Sequence, residues 1–445
     1  MSPDNIYEVE PVTRLEGHGG LRLVMSEDGK TVKDVQFNIT ATRFFEKLCE
    51  GRYAEHVPRI TNRICGICPV PHHLAATKSV EAAWNVEIPP AAYKLRQLFI
   101  NAKQYSSHLL HFFALAAPDF IYGPFADPAK RNVVQIIHDL PDVGTMALKM
   151  MDFGQNVCAA IGGKAIGPIA GIVGGMRHPL SSELRDSFLA QVPEQLEMVK
   201  ATVDLAKKVV FDYWDVVANL AVTPTYYCAV AKQVNGKLVH EIYDGDLIVV
   251  SPEGKKTVYK PEDYLEAIGE HIPNHSYATH TYYRPAGYPD GIYRTNSLAM
   301  LNACDEMATP LAEAARKEMY QKVFGKDHGT MHNTFAYHWA RIIETVESFE
   351  LMVKYLKDPE ILSTDIKTLD IKPIAARGVG IVDAPRGTLI YDMKTDAEGI
   401  CRKLNLLVAT NHNIAGIEKS LKDAAKQIFE EGILDKIKLP EPMVK

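Results

Sequence analysis

A chain of 445 residues, 47% hydrophobic and 23% charged, has the composition of a soluble globular protein with one large or two to three ordinary domains. Its formal charge of −6 gives no reason to expect nucleic acid or a membrane surface as partner. The longest weakly polar stretch, residues 165–176, is broken by Gly and Pro and is too short to span a bilayer, and the opening Met-Ser-Pro-Asp-Asn lacks a leader's basic and apolar regions. A cytoplasmic location is therefore expected.

In chain order, residues 6–39 read as an antiparallel pair, with Leu21, Leu23 and Met25 on one side of the turn Glu27-Asp28-Gly29 and Val32, Val35 and Phe37 on the other. The pattern then becomes helical. Pro89-Pro90 opens a long helix in which Leu95, Leu98, Phe99, Ala102, Leu109 and Phe112 recur at three- and four-residue steps. A second long helix is predicted over 183–220. A third begins near Asn333, with Phe335, Trp339, Ile342, Val346, Phe349 and Val353 on one stripe. Between Pro224 and Tyr293 the composition shifts to Tyr, Val, Gly and Asp, with the turn pairs Asn235-Gly236 and Asp244-Gly245, which predicts a small β-rich insertion. Strand and loop return over 371–408, and an amphipathic helix over 420–433 closes the chain before Pro440 and Pro442. The expected fold is α+β and mainly helical: a central bundle of long helices with an N-terminal antiparallel β region and the β-rich insertion. The segments are 1–40 (β region), 41–222 (helical core), 223–300 (insertion), 301–370 (bundle helices) and 371–445 (strand, loop and closing helix), within one unit.

Seven cysteines, an odd number spread thinly, argue against a disulfide framework and for a reducing compartment. Only Cys65 and Cys68 form a close pair, in Arg63-Ile-Cys65-Gly-Ile-Cys68-Pro-Val-Pro-His72; Cys49, Cys158, Cys228, Cys304 and Cys401 read as buried apolar fillers. A CxxC lets two thiolates hold one ion, and the enclosed Gly eases the tight backbone turn. A structural zinc site would need two further Cys or His at metal spacing, and a redox dithiol would need a preceding strand in a βαβ unit. Neither is apparent, and neither is excluded by spacing alone. His72, four residues past Cys68, would share its face if a helix starts there, and could hydrogen-bond its sulfur.

Six short strings, in consistent order from about residue 8 to 430, resemble the large subunit of nickel–iron hydrogenases. They are Arg14-Leu-Glu16-Gly-His18 after Pro11-Val-Thr13, Phe44-Phe45-Glu46-Lys47 ahead of Gly51-Arg52, and the arginine-flanked CGxCxxxH. Further on stand His108-Leu-Leu-His111 leading to Ala117-Pro118-Asp119-Phe120, then Ala384-Pro385-Arg386-Gly387, and Val408-Ala-Thr410-Asn-His-Asn413. The resemblance implies a buried nickel held by four sulfurs, two of them shared with an iron that carries CO and cyanide; soft thiolates suit nickel. By position it makes Cys65 a terminal nickel ligand, Cys68 a nickel–iron bridge and His72 the hydrogen-bond donor to the Cys68 sulfur. Arg386 would lie over the open metal position, where a planar permanent charge polarises H2. Asp119 would hold that arginine, Glu16 would relay the proton, Thr410 would hydrogen-bond a cyanide, and Glu46 would bind a magnesium-type ion. For each the bland alternative is an ordinary one: a surface ion pair for Arg386, a solvated helix-end carboxylate for Asp119, a turn residue beside Gly17 for Glu16, a helix-surface charge for Glu46.

The resemblance also implies a C-terminal DPCxxC supplying the other two thiolates, whereas here no cysteine follows Cys401. Tyr391 stands where a histidine is expected, and Ala409 where a proline is. Two readings follow. Either the chain is a metal-free scaffold or electron-transfer relative, of the respiratory complex I type, or a separate short Cys or selenocysteine peptide completes the site. The retained Cys65, Cys68, Glu16 and Arg386 favour the second, which resembles the viologen-reducing type of methanogens; the large subunit of deazaflavin-reducing hydrogenases is the alternative. The viologen-reducing type implies H2 as substrate, an iron–sulfur small subunit for the electrons, a ferredoxin-like adaptor and heterodisulfide reductase.

Overall fold

The computed structural model describes residues 5–444; residues 1–4, where the leader expectation falls, and Lys445 lie outside the described residues. Three strands open the chain rather than the expected pair: Asn5–Val9, Gly19–Met25 and Val32–Ile39, antiparallel in that order. The first has no burial alternation to betray it, since Tyr7 and Val9 are exposed, and it is held by register from Asn5↔Met25 to Val9↔Leu21. The inner face of this sheet, Met25, Val32 and Val35, packs on Leu421 and Ala425 of the closing helix. That helix spans Ile414–Phe429, six residues earlier than expected, because the helical turn Asn411–Asn413 runs directly into it and Ile414, Ala415 and Gly416 are buried.

The bundle is built as the apolar periodicity requires. Helix Pro90–Leu110 has proline at its first position, where the missing N–H is no loss, and it packs on Pro141–Gly162 and Tyr337–Lys357. The long helix Ser182–Asp212 is capped by Ser181, whose side chain accepts from Leu184 N, and it lies against Tyr337–Lys357. It breaks at Tyr213 (φ −95°, ψ 20°) before a short helix Trp214–Asn219, where the sequence suggested one continuous rod.

Helix Pro69–Trp84 is buried on almost every side, the mark of a central helix rather than an amphipathic one. Against it lies the sheet Arg377–Ala384, Gly387–Thr395 and Cys401–Leu407, antiparallel in sequence order. The two approach closely because Gly380 lacks a Cβ, which would collide with Ala75 O and Ser79 N. The β-rich segment forms a sheet around Tyr226–Val234. It is not a free-standing module: Cys228, Val230, Leu247 and Val249 share one apolar cluster with Val379, Ile381, Ile390 and Leu407 of the C-terminal sheet. All five unpaired cysteines are buried, as small apolar fillers should be. Among the described residues no helix is long and apolar enough to cross a membrane.

Candidate metal centre

Cys65-Gly-Ile-Cys68 is a tight turn leading into the buried helix Pro69–Trp84. Cys68 is the residue before the helix, with non-helical φ −120° and ψ 44°, and its N–H reaches Cys65 Sγ at 3.1 Å. The Cys65 and Cys68 sulfurs face each other, Cα atoms 5.4 Å apart. They line a cavity of about 290 Å3 together with Glu16, Glu46, Arg386 and Thr410, so six of the eight expected residues converge there from five distant stretches of chain. Glu16 lies on the exposed cavity wall, its Oε1 3.7 Å from Cys65 Sγ.

Arg386 enters the cavity from the turn between strands Arg377–Ala384 and Gly387–Thr395. Its Nη1 donates to Ser107 Oγ at 3.0 Å and to Pro385 O at 3.3 Å, while Nη2 is buried with no hydrogen-bond partner among the described residues. Burial first, and then the neighbouring Arg341, push the guanidinium down to about 9, with Glu16 opposing. The turn is fastened by Asn413, whose side-chain amide donates to Arg386 O at 2.9 Å and Thr295 Oγ1 at 2.9 Å, and whose Oδ1 accepts from Thr295 N. A Cβ at Gly387, which has φ +118°, would run into the Thr295 side chain. Asn413 thereby joins the Ala384–Gly387 string to the Val408–Asn413 string.

One expectation needs correction, and two other residues have partners that the sequence did not suggest. Asp119 does not hold Arg386. Its carboxylate is forked by Arg14 Nη2 at 2.7 and 2.8 Å and touched by Arg131 at 3.1 Å, on a second cavity bounded by His111, Phe120 and His338. A π-helical stretch, His111–Ala116, runs directly into the short helix Ala117–Tyr122 that carries Asp119. His72 turns its Nδ1 to the Tyr391 hydroxyl at 2.7 Å, which leaves only Nε2 for the Cys68 sulfur. Helical i, i+4 spacing does not apply, because Cys68 lies outside helical φ and ψ. Burial pushes His72 down to about 3, so the ring is neutral, and the unexpected Tyr391 is its partner. At Glu46 the positive charge is supplied by Arg43, whose Nε binds Glu46 Oε1 and whose Nη2 reaches Leu406 O at 3.1 Å. A hard cation there would have to displace that guanidinium.

Sequence reasoning gave no role to Ser107, Arg43, Arg14 or Asn413. The last two stand inside quoted strings. Ser107 had a weak signal, as a hydroxyl within an otherwise apolar helix stripe.

The residues fit a soft-metal centre. Two sulfurs converge on one cavity, and a buried, unanswered guanidinium nitrogen and a carboxylate able to take a proton line the same wall. Known proteins agree. The model of the nickel-dependent hydrogenase family matches residues 43–132, and that of HoxL-like proteins residues 7–41. A vhu chain of the F420-non-reducing hydrogenase from Methanocaldococcus jannaschii is 48% identical over 95% of this chain and 99% of its own. Its namesake from Methanococcus voltae is 45% identical over the same shares. The solved NAD+-reducing NiFe-hydrogenase in the H2-reduced state superposes with TM-score 0.89 and 32% identity over 96% of this chain and 93% of its own. This chain belongs to the nickel-dependent hydrogenase large subunits. Within them it is of the F420-non-reducing type.

Proposed function

We propose that this chain is the H2-splitting subunit of a complex in which nickel is held by Cys65 and Cys68, with Cys68 shared with the iron. The further two sulfurs would come from a short Cys- or selenocysteine-bearing peptide, a separate chain, that seats in the cavity. The observation that carries this reading is the convergence of the Cys65–Cys68 pair, the unpartnered Arg386 Nη2 and Glu16 on one cavity. Two sulfurs are half of a four-sulfur nickel set, and the remaining cysteines are buried elsewhere. Apolar wall residues, among them Ile39, Phe45, Val408 and Ile414, suit an inserted peptide whose burial is worth roughly 25 cal/mol per Å2.

When bound, the nickel–iron centre, its iron carrying CO and cyanide, supplies the site at which H2 is split into two protons and two electrons. Arg386 Nη2 presents positive charge at that position without a competing partner. Glu16 Oε1 accepts a proton from the sulfur side and releases it outward, since it stands on the exposed wall. Were the Tyr391 hydroxyl to donate to His72 Nδ1, the ring proton would stand on Nε2, the nitrogen left for the Cys68 sulfur. Thr410 offers a hydroxyl to cyanide. A magnesium-type ion at Glu46 would require Arg43 to swing aside as the peptide enters. No cluster of three or more cysteines exists among the described residues, which supports electron transfer to an iron–sulfur small subunit. Onward transfer in the cytoplasm, through a ferredoxin-like adaptor to heterodisulfide reductase, is the part of this proposal that rests on the resemblance of the ordered strings alone.

The test is metal analysis and intact mass of every chain in the purified active complex. Expected are stoichiometric nickel, loss of nickel and H2 oxidation together in Cys65→Ser, and one additional short chain carrying the missing ligands. Full nickel and turnover with no such additional chain would refute the separate peptide. Full nickel in Cys65→Ser would refute the ligand assignment, and an active complex without nickel the centre itself.

A further inference from the structure

We propose a second metal site, distinct from the nickel–iron centre: a zinc-class divalent ion held by His275, His280 and Glu418. One nitrogen of each imidazole and one carboxylate oxygen of Glu418 lie within 4.8 Å of one another, a spread that a 2 Å-class ligand shell closes with small side-chain movement. The two histidine rings face each other edge to face with centroids 5.7 Å apart. Glu418 Oε2 lies 2.7 Å from His275 Nε2, an interaction in which a metal would replace the shared proton.

The buried member of the set points to a ligand. His280 is 1% exposed, and its Nε2 has no hydrogen-bond partner among the described residues. Its other nitrogen, Nδ1, stands 3.2 Å from the Tyr288 hydroxyl. With the Nδ1 proton given to that hydroxyl, Nε2 presents a lone pair, the arrangement by which outer partners orient ligating imidazoles. Two imidazoles and one carboxylate are a borderline donor set, suited to zinc rather than to calcium or magnesium, and half-burial of His275 and Glu418 leaves room for a water as fourth ligand.

The position gives the ion a purpose. His280 begins strand His280–Tyr283, His275 lies in the loop before it, and Glu418 is on the closing helix Ile414–Phe429. The loop between the two histidines contains Tyr277, Ala278 and Thr279, which line the nickel–iron cavity. Glu418 Oε2 also accepts from Phe37 N at 2.9 Å, and Tyr277 N donates to Ile39 O at 3.0 Å. An ion here clamps one wall of the active-site cavity to both the N-terminal sheet and the closing helix.

The experiment uses the purified complex, with zinc as the probe and Co2+ as its spectroscopic substitute. The expected result is one zinc per large subunit beyond nickel and iron, and a visible d–d spectrum of histidine-ligated Co2+ after exchange. His275→Gln and Glu418→Gln, both on half-buried positions, should each weaken zinc binding at least about tenfold while nickel and iron content stay unchanged. Amides 276–281 should exchange hydrogen faster once zinc is removed from the wild-type complex. The proposal is overturned if the wild-type complex binds no zinc more tightly than roughly 10 μM, about 6.8 kcal/mol, or if both variants keep wild-type affinity. Should a variant misfold, the wild-type Co2+ spectrum decides: bands without nitrogen ligation overturn it equally.

Discussion

Arg386 carries a charge that its surroundings do not answer. Ser107 and Pro385 take one arm of the guanidinium, the other is buried without a partner among the described residues, and Arg341 repels it. A buried unpaired donor normally costs about 1–3 kcal/mol, so such a group persists where it is held by its neighbours for a ligand. Glu16 is the opposing charge that acts on it, and the same carboxylate approaches Cys65 Sγ. Glu16→Gln keeps the shape and the hydrogen-bonding reach but cannot carry a proton. The expected outcome is a fall in H2 oxidation and in H/D exchange with solvent of about 100-fold or more, with nickel content and metal spectra nearly unchanged. Exchange at the wild-type rate would move the relay to another group.

At the level of elements, the site depends on one turn. The two strands that flank Pro385-Arg386-Gly387 are legible from their β-branched and alternating residues, but the aim of Arg386 is set by where the turn is pinned. Asn413, from the helical turn after the next strand, binds the Arg386 carbonyl and Thr295 together, and Gly387 allows that approach. Gly387→Ala adds a Cβ at φ +118° against Thr295 and should destabilise the fold by about 2 kcal/mol or more. It should also lower nickel loading, because the turn moves relative to Cys65 and Cys68. Denaturant midpoint and metal content measured on the same preparation check this. An unchanged midpoint would show that the turn tolerates the side chain. The helices, by contrast, were readable in place and type, with errors only at ends: Tyr213 breaks one rod, and Asn411–Asn413 starts the closing helix early. Ends depend on which residue meets the core, which periodicity does not state.

The whole molecule is held together around neutral buried histidines. His73, His108, His338 and His412 are each pushed down to about 4, by burial before any other cause. Unfolded, each would titrate near about 6.5 and bind a proton that the folded state refuses. Protons bound in the unfolded state then exceed those in the folded state between about pH 4 and 6.5, so stability rises with pH across that window and is lost as pH falls. His240 acts in the opposite sense. Burial disfavours its charge, but Glu347 and Glu344 hold it well above the usual value, so its contribution is present below about pH 6.5 and lost as pH rises through its folded value. Asp383, pushed up to about 7, and Glu347, also raised, both by burial, act in the same sense as His240. These three do not offset the four rings together with His72 and His111, which burial also pushes down, and the denaturant midpoint at pH 5 should be lower than at pH 7. Equal or higher stability at pH 5 would mean that these rings are charged and paired in the folded protein.

The sequence by itself determined the secondary-structure types, the α+β class and the hydrogenase resemblance. Apolar period, turn pairs and the six ordered strings are local properties that survive without coordinates. It also determined which side chains to watch, since the CxxC, Glu16, Arg386, Glu46 and Thr410 lie in those strings and line one cavity. Only the tertiary structure decided who partners whom. Asp119 belongs to Arg14 and not to Arg386, His72 to Tyr391, and Glu46 to Arg43. The first two pairs are separated by 105 and 319 residues. The trio of His275, His280 and Glu418 likewise carries no motif, because its third member comes from the closing helix. A hydrogen bond or ion pair is fixed by distances of a few ångströms, and chain spacing says nothing about those until packing has brought the elements together.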